Sequence, residues 1–132
     1  MRVQAADTGF GKAKRLLNAR DYSRVFDHPD ARASHQHLLL LASINNGPAH
    51  RLGLVIAKKN VRLAVQRNRI KRVAREFFRN LHQTEPPMDV VLLARKGIGE
   101  LDNAELSSIL LQQWQKLIRD SARVKPSTSQ DF

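Results

Sequence analysis

Between residues 70 and 81 the apolar side chains fall at Ile70, Val73, Ala74, Phe77, Phe78 and Leu81, the i, i+3, i+4, i+7, i+8, i+11 spacing of one helix face. A second stripe carries Leu106, Ile109, Leu110, Trp114, Leu117 and Ile118. It follows Asp102 and Glu105, whose spacing is that of a capping box and predicts the start of a last helix. A shorter helix is predicted from Asn18, a residue suited to an N-cap, with Tyr22, Val25 and Phe26 on one stripe and Pro29 closing it. Three further runs have no helical period: His37 to Ile44 (HLLLLASI), Arg51 to Lys58 (RLGLVIAK) and Asp89 to Arg95 (DVVLLAR). Short apolar runs of this kind are buried strands. Asn45-Asn46-Gly47-Pro48 is turn chemistry, so the first two strands are expected to pair as a hairpin. Pro86-Pro87 breaks the chain before the third.

The resulting order, α-β-β-α-β-α, is that of an α+β fold. Each element has one apolar face to bury, which a two-layer α/β sandwich of sheet and helices provides. The 132 residues suit one domain, and 42% hydrophobic residues supply a modest core. Residues 1–11 and 124–132, the latter containing KPSTSQ, show no periodicity and are expected to be flexible tails around a single domain spanning 12–123.

Charge alters this plain picture. Lys and Arg total 23 against 12 Asp and Glu, a formal net charge of +11, so the expected partners are polyanions. The excess is concentrated: Lys58, Lys59, Arg62, Arg67, Arg69, Lys71, Arg72, Arg75 and Arg79 lie in one stretch whose single acid is Glu76. At about 100° per residue, Asn68, Arg72, Arg75 and Arg79 oppose the Ile70/Phe77 face, with Arg67 and Lys71 on one flank and Arg69 on the other. A merely solvated helix face mixes Glu with Lys to gain i, i+4 pairs, whereas this one repels itself. Arg in preference to Lys favours bidentate phosphate contacts and stacking on exposed bases.

Other chemistries find little support. There is no Cys, which excludes disulfides, thiolate metal sites and a cysteine nucleophile. The five His (His28, His35, His37, His50, His82) lack metal-ligand spacing and are expected at the surface and at strand edges. Gly97 and Gly99 in RKGIGE are not followed by the Lys-Ser or Lys-Thr of a nucleotide loop. The longest apolar run, Leu38 to Ala42, falls short of a membrane span, and no signal-peptide core is present, so a soluble cytoplasmic protein without membrane partners is expected. A self-sufficient metal nuclease needs converging carboxylates, but the acids here are scattered. What the charge supports is a protein that binds RNA. The main alternative on charge alone is a ribosomal or other structural RNA-binding protein. DNA is not expected, because the basic helix is followed by Pro-Pro and a strand and not by a helix-turn-helix partner.

The segment Gly53 to Arg79, GLVIAKKNVRLAVQRNRIKRVAREFFR, with Arg67-Asn68-Arg69-Ile70-Lys71-Arg72 at its centre, resembles the signature helix of the protein subunit of bacterial ribonuclease P. The resemblance extends upstream to DYSRVF, with Tyr22 and Phe26, and downstream through DVVLLARKG to the Trp114 helix. It implies a sandwich like domain 2 of ribosomal protein S5, with a left-handed βαβ crossover over Gly53 to Arg95. The physics of twisted sheets alone favours the right-handed form. It further implies a partnership with a catalytic RNA that removes the 5′ leader of precursor tRNA, with Mg²⁺ held mainly by that RNA. By position, Lys58, Lys59, Arg62, Arg67, Asn68, Arg69, Lys71, Arg72, Arg75 and Arg79 become RNA-contacting residues, and Tyr22, Phe26 and His37 line a leader-binding cleft. The chain departs from the family in two places. Leu38, Leu39 and Leu40 stand where the first strand often carries aromatic or polar residues, and Asn60-Val61-Arg62 stands where many members have a Gly-containing turn.

Overall fold

A computed structural model describes residues 18–45, 47, 50–81 and 87–129, with side chains to residue 122. The N-terminal tail, the start of the expected domain at residue 12, Asn46, Pro48, His82, Pro86 and residues 130–132 lie outside the described residues.

Asn18 caps α1 (Ala19–Asp27), its Oδ1 accepting from the Asp21 N–H at 3.0 Å. Then come β1 (Ala31–Ser34), β2 (Leu38–Ile44), β3 (Arg51–Val55), α2 (Ala64–Arg79), β4 (Met88–Ala94), a single 3₁₀ turn (Ile98–Glu100) and α3 (Asn103–Ser129). The expected capping box is present: Asp102 Oδ1 accepts from the Glu105 N–H at 2.8 Å, and Glu105 Oε1 accepts from the Asp102 N–H at 2.9 Å. The backbone of α3 continues to Ser129, through the KPSTS stretch where the hydrophobic period had ended.

Two expectations are corrected. The sheet has four strands, because Ala31–Ser34 forms an edge strand that the sequence pattern did not reveal. The strand order is β1-β2-β4-β3, so β2 and β3 do not form a hairpin. β4 inserts between them, antiparallel to β2 and parallel to β3. Burial explains the placement. Six of the seven β4 residues are buried, and a strand buried on both faces belongs in the middle of a sheet. β1 and β3, shorter and more polar, take the edges. At the turn Asn45 does as its residue type suggests, its Oδ1 accepting from the Gly47 N–H at 2.7 Å, but the chain it redirects becomes the far edge strand.

One face of the sheet holds the main core. Leu38, Leu40, Leu52, Val90 and Leu92 meet Ile70, Ala74 and Phe78 of α2 and Leu106, Leu110, Trp114 and Leu117 of α3. Trp114 packs edge-on against Phe78 and His50, with ring centroids 5.4 and 5.2 Å apart. His50, expected at the surface, is buried there, and its Nδ1 accepts from the Met88 N–H at 3.0 Å. Among the described residues the opposite face carries α1, whose Val25 is sealed against Leu41 and Val91. Nine residues cannot cover four strands, and among the described residues part of this face is left open.

Candidate nucleic-acid interface

Because β3 and β4 run parallel, their C-terminal ends lie side by side. Lys59 and Arg62, which follow β3, and Lys96, which follows β4, therefore line one shallow pocket. Sequence reasoning missed Lys96. The signal that identifies it is the pairing of the two strands, which no local pattern contains. The Asn60-Val61-Arg62 connection replaces a glycine turn with anchors: Asn60 Nδ2 donates to the Ala94 carbonyl at 3.0 Å, and Val61 is buried. Lys58, Lys59 and Arg62 are left on the exposed side of that loop.

On α2, with Ile70, Ala74 and Phe78 facing the core, Asn68, Lys71, Arg72, Arg75, Glu76 and Arg79 line a second shallow groove. The cations divide into two groups. Arg67 donates through Nη1 to the carbonyls of Val61 (3.0 Å) and Arg62 (2.8 Å), which fixes the loop to the helix. Arg69 donates to Gln66 Oε1 (2.8 Å), Asn103 Oδ1 (2.7 Å) and the Gly99 carbonyl (3.1 Å), tying α2 to the start of α3. Arg79 pairs with Glu76. Lys58, Lys59, Arg62, Asn68, Lys71 and Arg72 make no side-chain hydrogen bond or ion pair among the described residues. Their donors are available to a partner, whereas those of Arg67 and Arg69 are partly committed to the fold.

Among the described residues, the other face presents an open strip. Leu39, Leu93 and Val55 stand in register across β2, β4 and β3, all half-buried beside α1. The Tyr22 ring lies over Gly53, one row inward. Phe26 is 40% exposed, while Val25 next to it is fully buried. Of the two aromatic rings, the phenylalanine is thus the more accessible. His37 stands at the other end of the strip, in the β1–β2 turn, with its ring 5.5 Å from that of His35 and against Gly97. Four residues of strand separate the Leu41 row from His37, roughly 13 Å at about 3.3 Å per residue. The three expected cleft residues therefore bracket an aliphatic floor instead of forming one cluster.

Charge also locks α1 in place. Asp89, 1% exposed, accepts from Arg51 Nε (2.8 Å) and Nη2 (2.7 Å), Arg24 Nη2 (3.0 Å) and Asn45 Nδ2 (2.7 Å). Burial alone raises the pKa of such a carboxyl. The Arg51 and Asn45 hydrogen bonds, the Arg51 charge and the Arg24 bond outweigh it and hold the group below the usual carboxylate range. Arg51 is correspondingly raised, first by its hydrogen bond to Asp89. At the opposite end, burial and then the charges of His37, Lys116 and Arg95 lower the pKa of His35, whose Nδ1 accepts from the His37 N–H at 3.0 Å. His37 Nδ1 is buried without a hydrogen-bond partner.

Among the described residues no three His, Asp or Glu side chains come together as ligands. Nor, among them, is any helix long and apolar enough to cross a membrane.

Comparison with known proteins agrees with this architecture. The Ribonuclease P family model matches residues 10–118. Over 116 residues, 88% of this chain and 86% of the relative, the sequence is 50% identical to the ribonuclease P protein component of Pseudomonas aeruginosa. Over 123 residues, 93% and 89%, it is 49% identical to that of Ectopseudomonas mendocina. The solved RNase P protein of Thermotoga maritima superposes with a TM-score of 0.66 at 29% identity, covering 80% of this chain and 96% of that one. That of Staphylococcus aureus does so with a TM-score of 0.72, covering 81% and 99%, at 24% identity, a likeness of fold alone. With half its residues shared across nearly the whole of its bacterial relatives, the chain belongs to the ribonuclease P protein-component family, and its work lies in tRNA processing by an endoribonuclease complex.

Proposed function

We propose that the protein binds the catalytic RNA of ribonuclease P through the cations of the β3–α2 loop and α2, and holds the single-stranded 5′ leader of precursor tRNA along the open strip beside α1. The observation that carries the first part is the set of uncommitted donors at Lys58, Lys59, Arg62, Lys71 and Arg72, displayed on one continuous element with no acid but Glu76 among them. Phosphates are the ligands that such a self-repelling surface attracts, and releasing their counterions drives binding. The strip offers what a single strand requires: aromatic edges at Tyr22 and Phe26 for base stacking, and an apolar floor of Leu39, Leu93 and Val55.

Phosphodiester cleavage is assigned to the RNA, with Mg²⁺ held mainly there. The supporting observation is what seven of the nine described acids are already doing. Asp21 and Asp89 bind arginines, Asp30 and Asp120 accept from the N–H groups of Ile44 and Arg32, Asp102 and Glu105 cap α3, and Glu76 pairs with Arg79. Carboxylates committed to folding are poor candidates for general bases or metal ligands.

The test is the salt dependence of binding to the cognate catalytic RNA. Every phosphate that the protein no longer neutralises should reduce the log-log slope by about 0.7 to 0.9. Lys71→Ala/Arg72→Ala should therefore flatten the slope while the fold, followed by circular dichroism, persists. An unchanged slope in folded variants removes these residues from the interface.

A further inference from the structure

Gly53 is a buried residue in the interior of β3, where the absence of a side chain ordinarily costs strand stability. Its surroundings account for it. A Cβ placed on Gly53 meets Tyr22 Cε2 and Cζ at 2.8 Å and the Tyr22 hydroxyl oxygen at 2.9 Å. These separations are shorter than non-bonded carbon atoms tolerate, and the atoms involved are the far end of a side chain that can swing aside, not backbone. The ring rests on the sheet in the space a methyl group would fill. Gly53 pairs with Val91 one row inward from the Leu39–Leu93–Val55 floor, so the seat sets how far the ring stands above the strip.

We infer that Gly53 is a positioning residue for leader binding: by lacking a Cβ it lets Tyr22 lie down on β3 and present its edge to the strip instead of occupying it. The inference rests on the proposed leader role of Tyr22. Gly53 itself touches no substrate and acts only through the ring, so any substitution that fills the seat lifts the ring toward the strip whatever its polarity.

The experiment exploits the fact that Tyr22 is the single tyrosine of the chain. Fluorotyrosine incorporated into the protein gives one ¹⁹F resonance that reports this ring alone. Gly53→Ala should shift the resonance toward the solvent-exposed position. In holoenzyme it should weaken binding of leader-bearing precursor by roughly ten-fold, the loss expected for one stacked base, and leave mature tRNA and catalytic-RNA binding unchanged. In a double-mutant cycle, Tyr22→Ala/Gly53→Ala should bind precursor as Tyr22→Ala does, because the methyl group then has no ring to displace. An unmoved resonance overturns the inference, as do additive losses or a moved ring with undiminished precursor binding where Tyr22→Ala weakens it. If neither Tyr22→Ala nor Gly53→Ala affects precursor binding, the leader role of Tyr22 fails and the positioning role falls with it, a result separable from the others by the shifted resonance. Should Gly53→Ala alone not fold, the double variant removes the obstructing ring and should fold; a double variant that does not fold also overturns the inference.

Discussion

Replacing Asp89 by Asn isolates the charge that fastens α1 to the sheet. The carboxylate accepts four hydrogen bonds, two on each oxygen, and the amide can reproduce only those on the oxygen it keeps. If Oδ2 becomes the nitrogen, its N–H groups face Nη2 of both Arg24 and Arg51. Two hydrogen bonds to a charged group disappear, each about 1.5 to 3 kcal/mol. The side chains of Arg24 and Arg51 are 53% and 28% exposed and can turn to water, so the loss is discounted to about 2 to 3 kcal/mol. For a domain of this size that is a fall in Tm of roughly 6 to 12 °C. The pH dependence has a definite sign. Asp89 titrates lower in the folded than in the unfolded chain, so its contribution is complete above the unfolded value of 3.8 and is lost as pH falls through the folded one. Urea unfolding of both proteins should show the full gap at pH 6 and a shrinking gap below about pH 4. Equal stability at pH 6, or a gap that persists unchanged to pH 2, refutes the assignment of this network as the lock on α1.

Arg69→Ala should lower stability by about 1 to 3 kcal/mol, since its hydrogen bonds to Asn103 at the start of α3 and to the Gly99 carbonyl of the 3₁₀ turn disappear along with the one to Gln66 within α2, whereas Arg72→Ala should be neutral in urea unfolding and reduce only the salt slope of RNA binding. Val25→Ala should cost about 1 to 2 kcal/mol and Phe26→Ala under half that, because the smaller side chain is the buried one; equal costs would contradict the placement of α1. Tyr22→Ala should weaken binding of leader-bearing precursor by roughly ten-fold and leave mature tRNA binding alone, as measured by titration of the holoenzyme. Glu76→Ala should leave the maximal cleavage rate at saturating Mg²⁺ within about three-fold, and a loss of orders of magnitude would return a catalytic role to the protein.

The helices were legible in the sequence because their determinants are local. Asn18, the Asp102/Glu105 box and the Ile70-to-Phe78 stripe each act within a few residues of chain and appear where their spacing placed them, although the helix ends at Arg79, so Leu81, counted on the same stripe, lies just past it. The sheet was less legible. Asn45 to Pro48 reads as a hairpin turn, yet whether β2 pairs with β3 or β4 is decided by which strand can bury both faces, and that is settled by packing among distant segments. The unbroken apolar run of DVVLLA carried the clue, since alternation would have marked an edge strand. β1, with Ala31 and Ala33 inward and Arg32 and Ser34 outward, is too short and too small-sided to stand out. Sequence showed the position of the basic surface but not its division of labour. Arg67 and Arg69 look equivalent to Arg72 until the carbonyls of Val61, Arg62 and Gly99 are located. The ribosomal alternative, open on charge alone, gave way to the family match over residues 10–118.

The most direct test of the account is reconstitution. The full-length protein is added to its cognate catalytic RNA, and 5′ processing of precursor tRNA is followed at low Mg²⁺, with the Lys71→Ala/Arg72→Ala and Tyr22→Ala variants in parallel. The account predicts that the wild-type protein restores leader removal that the RNA performs poorly alone. The first variant should need more protein to do so, the second more precursor, and both should reach the same maximal rate at high Mg²⁺. Cleavage by the protein without RNA, or full rescue by both variants at every concentration, would contradict it.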